Sequence, residues 1–240
     1  MNGNDKSLTT PASAVEVDAF LHRLERSGAR ATPTRGRLLF ALDATGSRQA
    51  AWDHAARIQA EMFIAAQAVG GLKIQLCFYR GYGEFKVSPW LADAAPLLRM
   101  MTSVSCRAGE TQIARVLQHA INEAMAQRVG ALVFVGDCCE ETIDPLAARA
   151  GQLGALGVPA FMFHEGADPR AAQAFQEIAR LTRGAYCRFD AASPDALRQL
   201  LCAVAVYAAG GGPALLRHAA AAGGDVKRIA QQVTQRRDGR

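Results

Sequence analysis

Five consecutive apolar residues, Leu38-Leu39-Phe40-Ala41-Leu42, run directly into Asp43. A run this short and this continuously apolar fits a strand buried on both faces, because helices covering both sides of a sheet leave no polar face to alternate with. Similar runs return at 131–135, 160–164 and 185–189. Between them the apolar period changes to that of a helix. From Ser47 to Val69, Trp52, Ala55, Ile58, Met62 and Val69 share one face, and Gly70-Gly71 stops the pattern. From Thr111 to Arg128, Ile113, Val116, Leu117, Ala120, Ile121 and Ala124 do the same. Further helical stretches fall near 91–101, 144–156, 168–182 and 194–208, with Asp168-Pro169 an N-cap followed by a first-turn proline.

One segment departs from this alternation. Leu72, Ile74, Leu76 and Phe78 alternate with Lys73, Gln75, Cys77 and Tyr79, the pattern of a half-buried strand. Gly81-Tyr82-Gly83 then turns the chain into a second short strand, Glu84 to Val87, which predicts an antiparallel hairpin at one side of the sheet. The fold class expected is α/β: a Rossmann-like, doubly wound, mostly parallel six-stranded sheet with one antiparallel edge strand. This domain spans 37–209. Before it, Val17, Phe20, Leu21 and Leu24 mark a helix over 13–26, and a Gly/Pro/Thr/Arg-rich linker completes the segment 1–36. A basic helical tail is expected over 210–240.

Composition narrows the function classes. Half of the 240 residues are apolar and 20% are charged, so the chain can bury a core and is not a disordered segment. The start carries no basic stretch leading into an apolar one, and the long uncharged run at 200–216 is interrupted by Gly210-Gly211-Gly212-Pro213. The expectation is a cytoplasmic protein with no membrane insertion. None of the six cysteines forms a C-x-x-C pair and no His stands at zinc-finger spacing, which argues against a structural zinc site. Reduced thiols are expected, with Cys138-Cys139 the one pair placed to sense redox state. The net charge of +5 is concentrated at the end, where residues 217–240 hold six Lys/Arg against two Asp. No aromatic residue is interleaved with those basic residues, so nucleic acid is not the expected partner. G-x-x-x-x-G-K-[ST] is absent, and Gly81-x-Gly83 lacks the third glycine and the following helix of a dinucleotide site.

In open α/β sheets ligands bind beyond the carboxyl ends of the strands. Three loops that should converge there read Asp43-Ala44-Thr45-Gly46-Ser47, Gly109-Glu110-Thr111 and Gly136-Asp137-Cys138-Cys139. They offer two carboxylates and three hydroxyls and no His. Hard oxygen donors suit an octahedral hard cation, Mg²⁺ or Mn²⁺, better than zinc or copper. The i, i+2, i+4 spacing of Asp43, Thr45 and Ser47 suits a loop curling over an ion into the next helix. Taken singly, each residue has a plainer reading: Ser47 and Thr111 as N-caps, and Asp43 satisfying loop amides. His54 and His119 lack a second His at ligand spacing and read as surface or core residues. His164-Glu165, at the end of the fifth strand, borders the same edge. Glu140, Glu141 and Asp144 read as a solvated, acidic helix start.

Asp43, Thr45, Ser47, Thr111 and Asp137 bring the chain to a family. In order and spacing they resemble the metal-ion-dependent adhesion site (MIDAS) of the von Willebrand factor type A (vWA) domain: D-x-S-x-S after the first strand, a Thr before a helix, and an Asp after the fourth strand. Thr45 stands where a Ser is usual, and Gly136 precedes Asp137 where a Gly commonly follows. The resemblance covers about Arg37 to Ala208 and is nearest to the bacterial cytoplasmic members. It implies that Thr45, Ser47 and Thr111 bind Mg²⁺ or Mn²⁺ directly or nearly so, and that Asp43 and Asp137 act through water. It also implies that a protein partner's Asp or Glu completes the shell. The expected function is therefore a metal-dependent protein-interaction module and not an enzyme. A rival is a metal-dependent phosphohydrolase with Asp43 as nucleophile, which lacks the second acid at position 45 and a Lys near the other loops. A third reading is a fold without metal, acting through the hairpin or the tail. The sequence leaves the oligomeric state open.

Overall fold

A computed structural model describes residues 35–189, 194–222 and 224–238. The helix expected over 13–26 and the linker up to 34 lie outside the described residues. Strand β1 (Gly36–Asp43) leads through a single 3-10 turn (Gly46–Arg48) into α1 (Gln49–Gln67). Strands β2 (Leu72–Arg80) and β3 (Glu84–Val87) follow, then α2 (Ala94–Thr102) and α3 (Ile113–Ala126). The chain continues as β4 (Ala131–Gly136), α4 (Ile143–Ala155), β5 (Ala160–Glu165), α5 (Pro169–Leu181) and β6 (Ala185–Phe189). Helices α6 (Pro194–Ala220) and α7 (Gly224–Asp238) complete it.

The six strands form one sheet in the order β3-β2-β1-β4-β5-β6. Every pairing is parallel except that of β2 with β3, so the antiparallel hairpin sits at the edge as its sequence requires. Successive side chains of β1 point to opposite faces, and each face meets helices. Leu38, Phe40 and Leu42 join Val133 and Val135 in a core closed by Trp52 and Met62 of α1, Leu97 of α2, Leu200 and Val204 of α6, and Ile229 of α7. Leu39 and Ala41 join Leu132 and Phe134 in a second core, closed by Val116 and Leu117 of α3, Leu146 of α4, and Phe175 and Ile178 of α5. The unbroken apolar run of β1 is thus the signature of a strand covered twice.

Three features differ from the sequence reading. Strand β2 alternates in sequence, yet Gln75, Cys77 and Tyr79 are buried along with its apolar residues, because α3 lies over that face. The buried Gln75 amide is satisfied by His119 of α3, whose Nε2 lies 2.9 Å from Gln75 Oε1. Helix α6 does not end at the glycine run: it kinks at Gly211 (φ 70°, ψ −167°), where a side chain would be strained, and Pro213 sits in the helix that resumes. By length and composition Asp195–Ala220 could cross a membrane, and half of that apolar window is buried in the domain.

The basic C-terminal stretch also has a buried side. Val226, Ile229, Ala230 and Val233 of α7 belong to the same core as the sheet. Gln232 uses both ends of its amide on the β6 backbone, its Oε1 accepting from Tyr186 N–H and its Nε2 donating to Tyr186 C=O, each at 3.0 Å. One side chain therefore does for the sheet edge what a further strand would do.

Candidate functional site

The strand order turns back between β1 and β4: the chain first builds outward to β2 and β3, then crosses to the other side of β1. At such a switch point the connections leave in opposite directions and open a crevice at the carboxyl ends. Asp43 is the last residue of β1, and Asp137 follows the last residue of β4. Close approach here depends on Gly136, where an added Cβ would stand 2.7 Å from the Phe134 ring and 3.7 Å from Asp43 Cβ.

Asp43 is 2% exposed. Its Oδ1 accepts from Thr45 N–H at 2.7 Å, folding the loop back on itself, while Oδ2 is buried with no hydrogen-bond partner. Burial raises the Asp43 carboxyl from its ordinary pKa, against the Thr45 hydrogen bonds that lower it. Thr45 is buried, and its C=O accepts from Arg48 N–H at 2.9 Å, closing the 3-10 turn. That turn leaves Ser47 exposed, with its hydroxyl donating to Asp137 Oδ2 at 2.9 Å. Asp137 Oδ1 is the second buried carboxylate oxygen without a partner. Across the β1–β2 ladder Asp43 is in register with Tyr79, whose buried hydroxyl lies near enough to the Asp43 carboxylate to interact with it. Burial, and then the Asp43 charge, push the Tyr79 phenol well above its usual pKa.

Thr111 is buried and engages the loop after β4 rather than the loop after β1. Its N–H donates to Glu140 Oε2 at 3.0 Å and its Oγ1 accepts from Glu140 N–H at 3.1 Å. Neither Thr111 nor Ser47 caps a helix by its side chain. The first amides of α3 are capped from the opposite loop: Glu141 accepts from Ile113 N–H and, at 2.9 Å, from Ala114 N–H. Glu140, which stays exposed, and Glu141 thus clamp α3 to the end of β4, while Asp144 lies exposed in the first turn of α4, as an acidic helix start would. The long connection before α3 is held over the site in turn. Arg107 N–H donates to Ala44 C=O at 3.0 Å, and an added Cβ on Gly109 would stand 2.1 Å from Gly81 O.

The structure thus brings Asp43 and Thr45 together, and Ser47 and Asp137 together, and ties Thr111 to the loop that carries Asp137. The sequence reading passed over Arg48. Its side chain is 3% exposed and lies between acids, its Nη1 paired with Glu165 Oε2 and 4.0 Å from Asp137 Oδ2. Its position one residue past Ser47 was the available signal. Among the described residues no group of three or more His, Cys, Asp or Glu is clustered as for a metal.

Solved structures share this fold over most of the chain. The VWA domain of SpRpn10 matches 70% of this chain and 93% of its own, with 16% identity and a TM-score of 0.53. The chain has the von Willebrand factor type A fold. The vWF domain of the type V pili tip protein Mfa5 from Porphyromonas gingivalis matches over 73% of this chain and 95% of its own, at 12% identity and a TM-score of 0.52. An aerotolerance-related membrane protein from Bacteroides fragilis NCTC 9343 matches over 69% and 98%, at 20% identity and a TM-score of 0.52. No family model matches the sequence, and no curated protein matches it. At these identities the likeness carries the vWA fold alone.

Proposed function

We propose that this vWA domain is a protein-interaction module, not an enzyme, in which Asp43, Thr45, Ser47, Thr111 and Asp137 hold Mg²⁺ or Mn²⁺ and a protein partner contributes an Asp or Glu. The observation that carries this reading is the pair of buried carboxylate oxygens, Asp43 Oδ2 and Asp137 Oδ1, left without hydrogen bonds at the ends of adjacent strands. Buried carboxylate oxygens are costly unless something positive meets them. When bound, the cation would supply an electrophilic position for an outside carboxylate. The chain's own residues set up that position. The Asp43–Thr45 hydrogen bond fixes the first loop, Ser47 tethers Asp137, and Glu140 and Glu141 hold Thr111 at the start of α3. Tyr82, 84% exposed at the β2–β3 turn on the same sheet edge, offers a partner an aromatic contact. Two of the similar structures are a pilus adhesin and the domain of a pili tip protein, which accords with partner binding. The phosphohydrolase reading fares worse, because a nucleophilic Asp43 that is 2% exposed is out of reach of an incoming phosphoryl group.

Anomalous diffraction from Mn²⁺-soaked crystals tests the reading. A peak framed by Thr45, Ser47 and Thr111, lost in Asp137→Ala, is the expected result. No peak with the metal in excess would remove the cation from the free protein. Phosphate release from an aryl phosphate, abolished by Asp43→Asn, would restore the hydrolase.

A further inference from the structure

The 3-10 turn that aims Ser47 outward at Asp137 aims the next side chain inward. Arg48 is the buried cation of this crevice. Its Nη1 pairs with Glu165 at the end of β5, lies 4.0 Å from Asp137 Oδ2, and leaves Nε buried with no hydrogen-bond partner. A guanidinium has five donors in a rigid fork, and a buried one left partly unsatisfied is poor stabilising material. An apolar side chain of similar length would fill the space at less cost. What Arg48 adds that such a side chain would not is positive charge next to two carboxylates whose remaining oxygens are unpartnered.

Resting on the proposed metal site, we propose that Arg48 is a resident counter-ion that lowers the affinity of the free site for a divalent cation, with Glu165 as the residue that holds it off Asp137. The physical argument is electrostatic. Without an ion, the guanidinium offsets the charge of Asp137 and Asp43. A bound ion would be repelled by the same positive charge, which burial leaves poorly screened. Glu165 draws the guanidinium toward β5, away from the crevice, so the repulsion is moderated rather than removed. A partner carboxylate adds negative charge to the occupied site, so ion and partner bind better together than the ion binds alone. Arg48 is thus a positioning and tuning residue: at 3% exposure it does not touch the partner.

The test is a Mn²⁺ titration of the full chain, read by electron paramagnetic resonance of the free ion and by calorimetry. The variants are Arg48→Met, Glu165→Gln and the double Arg48→Met/Glu165→Met, which removes the pair as a unit and does not leave Glu165 without its partner. Circular dichroism confirms that each is folded. Arg48→Met and the double variant are expected to bind Mn²⁺ about ten-fold tighter than the wild type, and Glu165→Gln about ten-fold more weakly. The opposite signs matter, because residues that merely support the fold would weaken binding in every variant. Wild-type binding that is unchanged or weakened in both Arg48 variants overturns this inference and leaves the metal site standing. No binding by the wild type or by any Arg48 variant overturns the metal site itself, and the inference with it. Binding seen only once Arg48 is removed supports both.

Discussion

Ser47 and Asp137 stand 90 positions apart in the chain and meet across the ends of β1 and β4, the Ser47 hydroxyl donating to Asp137 Oδ2 at 2.9 Å. The bond spans the switch point of the sheet, where two loops that leave in opposite directions have no backbone hydrogen bonds to hold them together. It leaves Asp137 Oδ1 unpartnered, so the carboxylate is oriented without being used up. Ser47→Ala is expected to cost less than about 1 kcal/mol in urea unfolding, since the bond itself is open to solvent. Its effect on Mn²⁺ affinity should be larger, about ten-fold, because a donor and an orienting bond go together. A stability loss larger than the affinity loss would mean that the bond is a structural clamp instead.

Glu141 offers a cleaner separation of stability from site chemistry. It caps α3 through Ile113 and Ala114, while Thr111, the sequence-level candidate for that cap, is bonded to Glu140. Glu141→Ala is expected to destabilise the domain by about 1–2 kcal/mol, the worth of a lost helix cap, and Thr111→Ala by less. Equilibrium urea unfolding of the two variants ranks them directly. The reverse order would return the capping role to Thr111.

How far this could be read in advance depended on how local the cause is. The sheet was legible because most strands, β2 excepted, carry their own burial record: Leu38 to Leu42 is apolar throughout since helices cover both faces, and Gly81-Tyr82-Gly83 can only turn the chain back. Asp43 and Asp137 were legible for the same reason, each lying at the end of a recognisable strand. The plainer reading of Asp43, as a residue serving loop amides, holds for one oxygen and fails for the other. What was not legible rests on partners far away in sequence. Arg48 carries no local sign of a role, because its partner Glu165 lies 117 positions later. The acids after β4 read as a charged helix start, and only the path of the chain before α3 turns them into its cap. The burial of one face of α7 escaped a reading based on its charge, since Val226, Ile229 and Val233 are three apolar residues among many polar ones.

His119 gives the domain a pH dependence of known sign. The imidazole is half-buried between Gln75 and the edge of the Phe85 ring, and burial lowers its pKa, with Glu123 pulling the other way. The unfolded chain therefore takes up a proton near pH 6.5 before the folded one does. Stability from this group is complete above that pH and is lost as the pH falls through it toward the lower folded value, with a slope no steeper than one proton. Urea unfolding measured from about pH 7.5 down to about pH 5 should show this slope added to that of buried His164, whose pKa burial also lowers, and His119→Gln should reduce it without abolishing it. An unchanged slope in the variant would assign the proton to another group.

Gly136 carries the last prediction, because the crevice exists only if β4 can end as closely against β1 as it does. A methyl group there would stand 2.7 Å from one carbon of the Phe134 ring and 3.0 Å from the next. The ring has little room to retreat, being packed edge-on against Phe175 at 5.3 Å between centroids and lying over Tyr79 at 6.4 Å. Gly136→Ala is therefore expected to cost about 1–3 kcal/mol, the usual range for forcing extra volume into a packed core. The cause is checked with a second substitution. Phe134→Leu removes the ring edge that the new methyl would strike, so the two changes together should cost less than their sum by about 1 kcal/mol or more. The glycine would then be explained by one contact, between the end of β4 and the ring two residues before it. Additive costs in the urea data would place the strain in the backbone around Asp137, and the close approach of β4 to Asp43 would need a different origin.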